Sequence, residues 1–266
     1  MSYLPKAKKE LGQHFLRDKN VIKKITQDWS HECDVIIEVG PGPTVLTTEL
    51  VKHEKPIFVI EKDTSFAAYI NKIIPSDHVF FEDALKFDWC ELIKNFELEN
   101  KKIWLVSNLP YNVGTVLFTQ FLKIKQIQFM TLMFQKEVGE KTYHRETKNQ
   151  MSGLLSLSQN YFKPKLLTKV SPGCFSPAPK VDSVVVSYAR NEHPTIIIDR
   201  YDMFNQFTRN LFGQRRKQIG SVLRQSYDKQ ILEQSFVSLN IPSTLRAEAL
   251  TFEQVIKLFM KIHDDV

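Results

Sequence analysis

The stretch Val35-Ile36-Ile37-Glu38-Val39-Gly40-Pro41-Gly42-Pro43 decides how the rest of the chain is read. Four of its first five residues are β-branched, Glu38 alone is charged, and the run stops at alternating glycine and proline. A strand apolar on both faces belongs in a parallel sheet covered by helices on each side. Working outward, the same strand–helix unit recurs. Residues 44–52 read as a helix. Ile57-Phe58-Val59-Ile60 is a strand ending at Glu61, followed by a helix over 64–74. Val79-Phe80-Phe81 ends at Glu82-Asp83, with a helix over 89–96. Ile103-Trp104-Leu105-Val106 ends at Ser107-Asn108, with a helix over 114–122, and 127–134 is a fifth strand.

Beyond residue 136 the pattern changes. Helical segments are expected at 137–146 and 154–161. Residues 166–170 and 181–189 flank a loop with Pro172, Gly173, Pro177 and Pro179, an antiparallel pair closing the sheet edge. A polar link over 190–195 precedes helices at 202–212, 215–225 and 229–239. A last helix opens at Thr251, where Gln254 is spaced for a capping box. The expected fold is α/β: a Rossmann-like, mostly parallel sheet with an antiparallel edge strand in residues 1–192, and a smaller all-helical domain in 193–266.

At 266 residues and 42% hydrophobic, the chain has enough apolar content for a core, which excludes a disordered or fibrous protein. Its net charge of +6 is unevenly spread: residues 1–24 and 136–180 each carry +5, residues 25–135 carry −5, and 181–266 carry +1. An acidic middle between basic segments fits a polyanionic partner met by only some parts of the chain. Cys33, Cys90 and Cys174 are odd in number and far apart, which argues against disulfides and a thiolate zinc site. No metal is expected. Without a signal-type apolar stretch or a run of about 20 apolar residues, the chain reads as cytoplasmic with no membrane contact.

Ligands of open parallel sheets bind at the carboxyl ends of the strands. Those ends carry Gly40, Glu61, Asp83 and Asn108, each one strand–helix unit after the last. The glycine turn admits a ligand close to the backbone, Glu61 is placed for both ribose hydroxyls, and Asp83 for a base amino group, which together suit an adenosine. A dinucleotide fingerprint would want a sixth-position glycine where Val45 stands. Glu38 favours a cationic sulfonium and amino group over a pyrophosphate. S-adenosylmethionine is therefore preferred to NAD. Asn108-Leu109-Pro110-Tyr111 then supplies chemistry. An adenine amino group is a poor nucleophile because its lone pair is delocalised. The Asn108 side-chain carbonyl and the Leu109 main-chain carbonyl can each accept one of its hydrogens, favouring a pyramidal nitrogen aimed at a methyl group. Pro110 fixes the turn, and Tyr111 offers a ring to an extruded base.

Together with these, the chain carries Leu11-Gly12-Gln13-His14-Phe15-Leu16, Glu38-Val39-Gly40-Pro41-Gly42, Val59-Ile60-Glu61-Lys62-Asp63, Asp83-Ala84, Gln135-Lys136-Glu137-Val138, the run from Phe175-Ser176-Pro177 to Asp182-Ser183, and Phe212-Gly213-Gln214-Arg215-Arg216-Lys217. In this order they resemble the small-subunit ribosomal RNA adenine dimethyltransferases (the KsgA family) along nearly the whole chain. The resemblance implies transfer of two methyl groups to each of two adjacent adenosines near the 3′ end of 16S rRNA, on an assembling small subunit. It implies that Gln13, His14 and Leu16 fold over the cofactor, that Gly40, Gly42, Glu61, Asp83, Ala84 and Asn108 contact it, and that Phe175 walls the target base opposite Tyr111. Two positions depart from the family pattern: Thr44, where Gly or Ala is usual, and Ser152-Gly153-Leu154, in place of a Tyr-Gly pattern.

Arg215, Arg216 and Lys217, read at a helix start, oppose the helix dipole, a cost that RNA phosphates would relieve. Lys6, Lys8 and Lys9 fit a tail or an RNA contact equally. A monomer is expected. Three other functions share parts of this pattern: a large-subunit 23S rRNA adenine methyltransferase of the macrolide-resistance type, a non-catalytic RNA-binding assembly factor, and a nicotinamide dehydrogenase. The first more often carries Asn-Ile-Pro-Tyr, the second does not need Asn108 and Tyr111, and the third is disfavoured by Val45.

Overall fold

The computed structural model describes Lys8, residues 13–143 and residues 149–264. Lys6, Lys9, Leu11-Gly12 and the end of the helix expected over 137–146 lie outside the described residues. The strands are β1 (Phe15–Leu16), β2 (Val35–Val39), β3 (Ile57–Ile60), β4 (Val79–Phe80), β5 (Ile103–Asn108), β6 (Ile127–Gln135), β7 (Phe162–Val170), β8 (Phe175–Ser176) and β9 (Ser183–Arg190).

Seven strands form one sheet in the order β4-β3-β2-β5-β6-β9-β7. The β2–β3, β2–β5, β3–β4 and β5–β6 pairs are parallel, and β9 runs antiparallel to β6. The expected class, a mostly parallel sheet with an antiparallel strand near its edge, is what the chain adopts. All five residues of β2 are buried, as an inner strand covered on both faces must be. Period two puts Ile36 and Glu38 on one face, in register with Ile57 and Val59 of β3 and Trp104 and Val106 of β5. That face packs on Ile25, Leu50, Phe66 and Ile70. The Trp104 indole donates to Thr131 at 2.9 Å, and Thr131 donates to Asp28 at 2.7 Å, so the largest buried ring keeps its one polar atom satisfied.

The chain divides into two compact units, residues 1–139 with 164–190, and residues 140–163 with 191–266. This corrects the expected division at 192/193, because 140–163 joins the helical unit. The helix Gly153–Tyr161 explains why. Asn160 accepts from the Ile196 amide at 3.0 Å and donates to the Ile196 carbonyl at 2.8 Å. Tyr161 lies 5.3 Å from the Tyr201 ring. Helices Tyr201–Phe212, Ile219–Leu223, Lys229–Ser238 and Phe252–Asp264 complete this unit around Phe204, Phe207 and Phe259. Thr251 and Gln254 form the expected capping box, at 2.9 and 3.1 Å.

Four expected helices are shorter, and that over 64–74 is a 3-10 turn at Thr64–Phe66 followed by an α-helix at Ala67–Ile70. Residues 44–52 begin their helix only at Thr47, because Thr44 takes φ 65°, which a right-handed helix excludes. The helix expected over 137–146 covers only Lys136–Gly139 of the described part. Of 215–225 only Ile219–Leu223 is helical, the part with apolar residues to bury, while Arg215–Lys217 lie in an exposed turn. Those three cations therefore precede the helix rather than occupy its first turn, which removes the dipole argument for them.

Candidate active site

The order of the sheet reverses at β2. The chain runs outward through β3 and β4, then returns to β5 on the other side, opening a crevice at the carboxyl ends of β2 and β5. The turn after β2 is held from β3. The Gly40 amide donates to the Ile60 carbonyl at 2.8 Å, and the Gly42 amide to Glu61 Oε2 at 3.0 Å. Glu61 Oε1 accepts from the Asp63 amide at 2.7 Å. Gly40 and Gly42 both take positive φ, 70° and 53°, a conformation cheap only for glycine. A Cβ added to Gly40 would meet nothing within 4 Å, so this backbone is open to a ligand. Each Glu61 oxygen keeps a second lone pair for a hydroxyl donor.

The carboxylates differ in their surroundings. Glu38 is 1% exposed, lines the crevice, and its Oε2 has no hydrogen-bond partner. Burial, with Glu61 nearby, pushes its pKa up to about 8. Burial also raises Glu61, against the pull of the Asp63 and Gly42 amides. Asp83, half out of the crevice, is held below the usual range by Lys62 at 2.8 Å. An orphaned buried acceptor, an open glycine turn and two further carboxylates form an acceptor-rich side of the pocket. That set fits the sulfonium, amino group and ribose of S-adenosylmethionine, and does not fit a pyrophosphate.

Lys8 and Gln13–Leu16 are fastened beside this crevice. Buried Asp63 accepts from Lys8 Nζ at 2.8 Å, Gln13 Nε2 at 3.0 Å and the Ser65 amide at 3.0 Å. Burial opposes ionisation of Asp63, but these donors hold its carboxyl well below the ordinary carboxylate range. β1 pairs antiparallel with β8, Leu16 opposite Phe175. Gln13, His14 and Leu16 line the crevice, as does Ala84. The His14 ring nitrogen Nδ1 bonds the Pro177 carbonyl at 2.8 Å, and its ring lies 5.5 Å from Tyr111. The sequence offered Lys8 as a tail residue or an RNA contact and gave Asp63 and Pro177 no role of their own; here Lys8 pairs with Asp63. The alternation of acids in Glu61-Lys62-Asp63 was the available signal for Asp63.

At the end of β5, the Asn108 amide nitrogen donates to the His14 carbonyl at 2.9 Å. That bond engages the amide nitrogen and not the side-chain carbonyl oxygen, the acceptor. The Leu109 amide bonds the Met133 carbonyl at 3.2 Å, and the Pro110 carbonyl accepts from Gly114 at 2.9 Å, so the tetrapeptide is anchored at both ends. Leu109, Pro110 and Tyr111 line the crevice with Asn108. Tyr111 Oη and Ser183 Oγ are 2.6 Å apart, which fixes the ring from β9.

Phe175 corrects the expectation for it. Its ring is 2% exposed, packs in the core with Leu16 and Val170, and does not line the crevice. Pairing of β8 with β1 consumes the ring as core; the aromatic neighbour of Tyr111 is His14. Thr44, one of the two departures from the family pattern, does not line the crevice either; its hydroxyl donates to the Pro43 carbonyl at 2.7 Å. Its positive φ of 65° is a conformation cheap only for glycine. Ser152 caps its helix by accepting from the Leu155 amide at 3.1 Å. Arg215, Arg216 and Lys217 are exposed in the helical unit and take no part in the crevice. Among the described residues no cluster suited to a metal is present, and no helix is long and apolar enough to cross a membrane.

The comparisons agree with this geometry. Solved structures match the fold: a dimethyladenosine transferase from Plasmodium falciparum (20% identical, TM-score 0.71, 92% of this chain and 96% of that one) and the 23S rRNA methyltransferase ErmE (21% identical, TM-score 0.68, 93% and 99%). At such identities they establish the fold alone and do not separate the two substrates. A ribosomal RNA small subunit methyltransferase A of Clostridium botulinum (strain Langeland) is 35% identical over 97% of this chain and 95% of its own length. The family model described as ribosomal RNA adenine dimethylase matches residues 4–264. The chain belongs to the ribosomal RNA adenine dimethylase family.

Proposed function

We propose that the chain transfers methyl groups from S-adenosylmethionine to the 6-amino groups of two adjacent adenosines near the 3′ end of 16S rRNA, giving dimethyladenosines during small-subunit assembly. The observation that carries this reading is the orientation of Asn108 by the His14 carbonyl, 2.9 Å away. It leaves the Asn108 carbonyl to accept one hydrogen of an adenine amino group, with the Leu109 main-chain carbonyl accepting the other. Positive charge grows on that nitrogen as the new bond forms, so both hydrogen bonds strengthen in the transition state. The bound donor supplies an electrophilic methyl on sulfur. Glu38 and Glu61 hold its cationic and ribose ends, Asp83 and the Gly40–Gly42 turn its base and backbone-facing side, and Tyr111 stacks on the extruded adenine. Such stacking offsets about 1–3 kcal/mol of the cost of extrusion.

Sequence relatives named for the small subunit favour that substrate over the large one. In this reading Arg215, Arg216 and Lys217 contact RNA, and the protein works as a cytoplasmic monomer. Incubating unmethylated small subunits with labelled donor tests it. Wild type is expected to label the RNA, and Asn108→Ala to slow transfer at least about 100-fold while circular dichroism stays native. Near-normal turnover in Asn108→Ala would sink the mechanism.

A further inference from the structure

Next to the cofactor crevice runs a second groove, of about 1170 Å³, larger than the roughly 300–1,000 Å³ of pockets that enclose one small ligand. The exposed side chains Arg17, Lys19 and Lys23, at and within the helix Lys19–Gln27, form one wall. Lys52 and His53 stand on the other. Glu49 is the single carboxylate of the lining, and it is spent on Lys52 at 2.6 Å. Arg17, Lys19 and Lys23 have no ion pair among the described residues, so the wall keeps three uncompensated charges. Its floor is apolar at Phe15, Ile22 and Val45. Phe15, Leu16, Pro43 and Val45 line both groove and crevice, making the two continuous.

We propose that this groove holds the sugar-phosphate backbone of the RNA strand flanking the target adenosine. The proposal rests on the reading of the crevice given above and adds a substrate track to it. Extruding a base into the crevice requires the strand beside it to leave its duplex path. A groove that is cationic along one wall, apolar on its floor and joined to the crevice suits such a single strand. Long cations on solvent-facing turns neutralise phosphates at little ordering cost before binding, and each phosphate met releases counterions. The cationic wall stands apart from the acidic carboxylates that suit the donor, which explains how one unit with a net acidic middle can accept both a cation and a polyanion.

The test is the triple variant R17Q/K19Q/K23Q against a control, K72Q/K94Q/K101Q, which removes three exposed charges elsewhere in the same unit. Binding of a 16S rRNA 3′-end fragment is followed by fluorescence anisotropy from 50 to 300 mM salt, alongside donor binding by calorimetry. With about 0.7 of slope per phosphate on a single strand, the triple variant should lower the log–log salt slope by about 2 and weaken RNA binding on the order of 50-fold at 0.15 M. Donor affinity and the control's RNA affinity should stay as in wild type. An unchanged slope in R17Q/K19Q/K23Q, or an equal loss in the control, overturns the proposal. Should wild type bind RNA but transfer no methyl group, the reading of the crevice fails while the slope still decides the groove.

Discussion

Replacing Glu38 with glutamine isolates the electrostatics of the crevice with almost no change of shape. With its pKa up to about 8 in the folded protein against 4.5 as the ordinary value, this carboxyl binds its proton in the native state where the unfolded chain has released it. A raised folded pKa contributes stability that is complete below pH 4.5 and is lost as pH rises to 8. Through this residue wild type should lose on the order of a few kcal/mol between pH 5 and 8. Urea unfolding across that range should show the slope in wild type and a much flatter one in Glu38→Gln. At pH 7 the carboxyl is mostly protonated without ligand, and a cationic donor favours its ionised form. Donor binding should therefore release nearly one proton from wild type and about one fewer from the variant. Calorimetry in buffers of differing ionisation enthalpy reads this number directly. Equal proton release and parallel pH profiles for the two proteins would refute the account of Glu38.

Asp63→Asn should loosen the Lys8 and Gln13 contacts and weaken donor affinity several-fold, measured by titration; unchanged affinity would mean that the fastening is idle. Thr44→Gly relieves a positive φ worth about 1–2 kcal/mol against about 0.5–1 kcal/mol of glycine entropy. Its urea midpoint should rise slightly, and a clear fall would show that the Thr44 hydroxyl matters more than the strain. Charge reversal at Arg215, Arg216 and Lys217 should weaken binding to small subunits and flatten its dependence on salt, with binding unchanged across a salt series as the opposing outcome.

The central strands were legible because β2, β3 and β5 are apolar on both faces, a pattern with few other structural solutions. The spacing of Gly40, Glu61, Asp83 and Asn108 placed them on one edge for the same reason, and all four line the crevice. What escaped reading is long-range. The β1–β8 pair is two residues on each side, too short for any periodicity, yet it positions His14 and buries Phe175. Asp63 meets Gln13 across 50 residues of sequence, and the alternation of acids in Glu61-Lys62-Asp63 does not say which distant donors it takes. The helix Gly153–Tyr161 carries Leu154, Leu155 and Leu157, which can be buried in either unit; the decisive contacts are Asn160 with Ile196 and Tyr161 with Tyr201. Residues 44–52 and 215–225 were overextended because helix propensity does not register a left-handed Thr44 or the absence of anything to bury at Arg215–Lys217.

The most direct measurement is to offer unmethylated small and large ribosomal subunits separately, with labelled S-adenosylmethionine, and to map the products by mass spectrometry. The account predicts two adjacent N6,N6-dimethyladenosines near the 3′ end of 16S rRNA, none in 23S rRNA, and none with Asn108→Ala. Label confined to large-subunit RNA, or no transfer to either subunit, would contradict it.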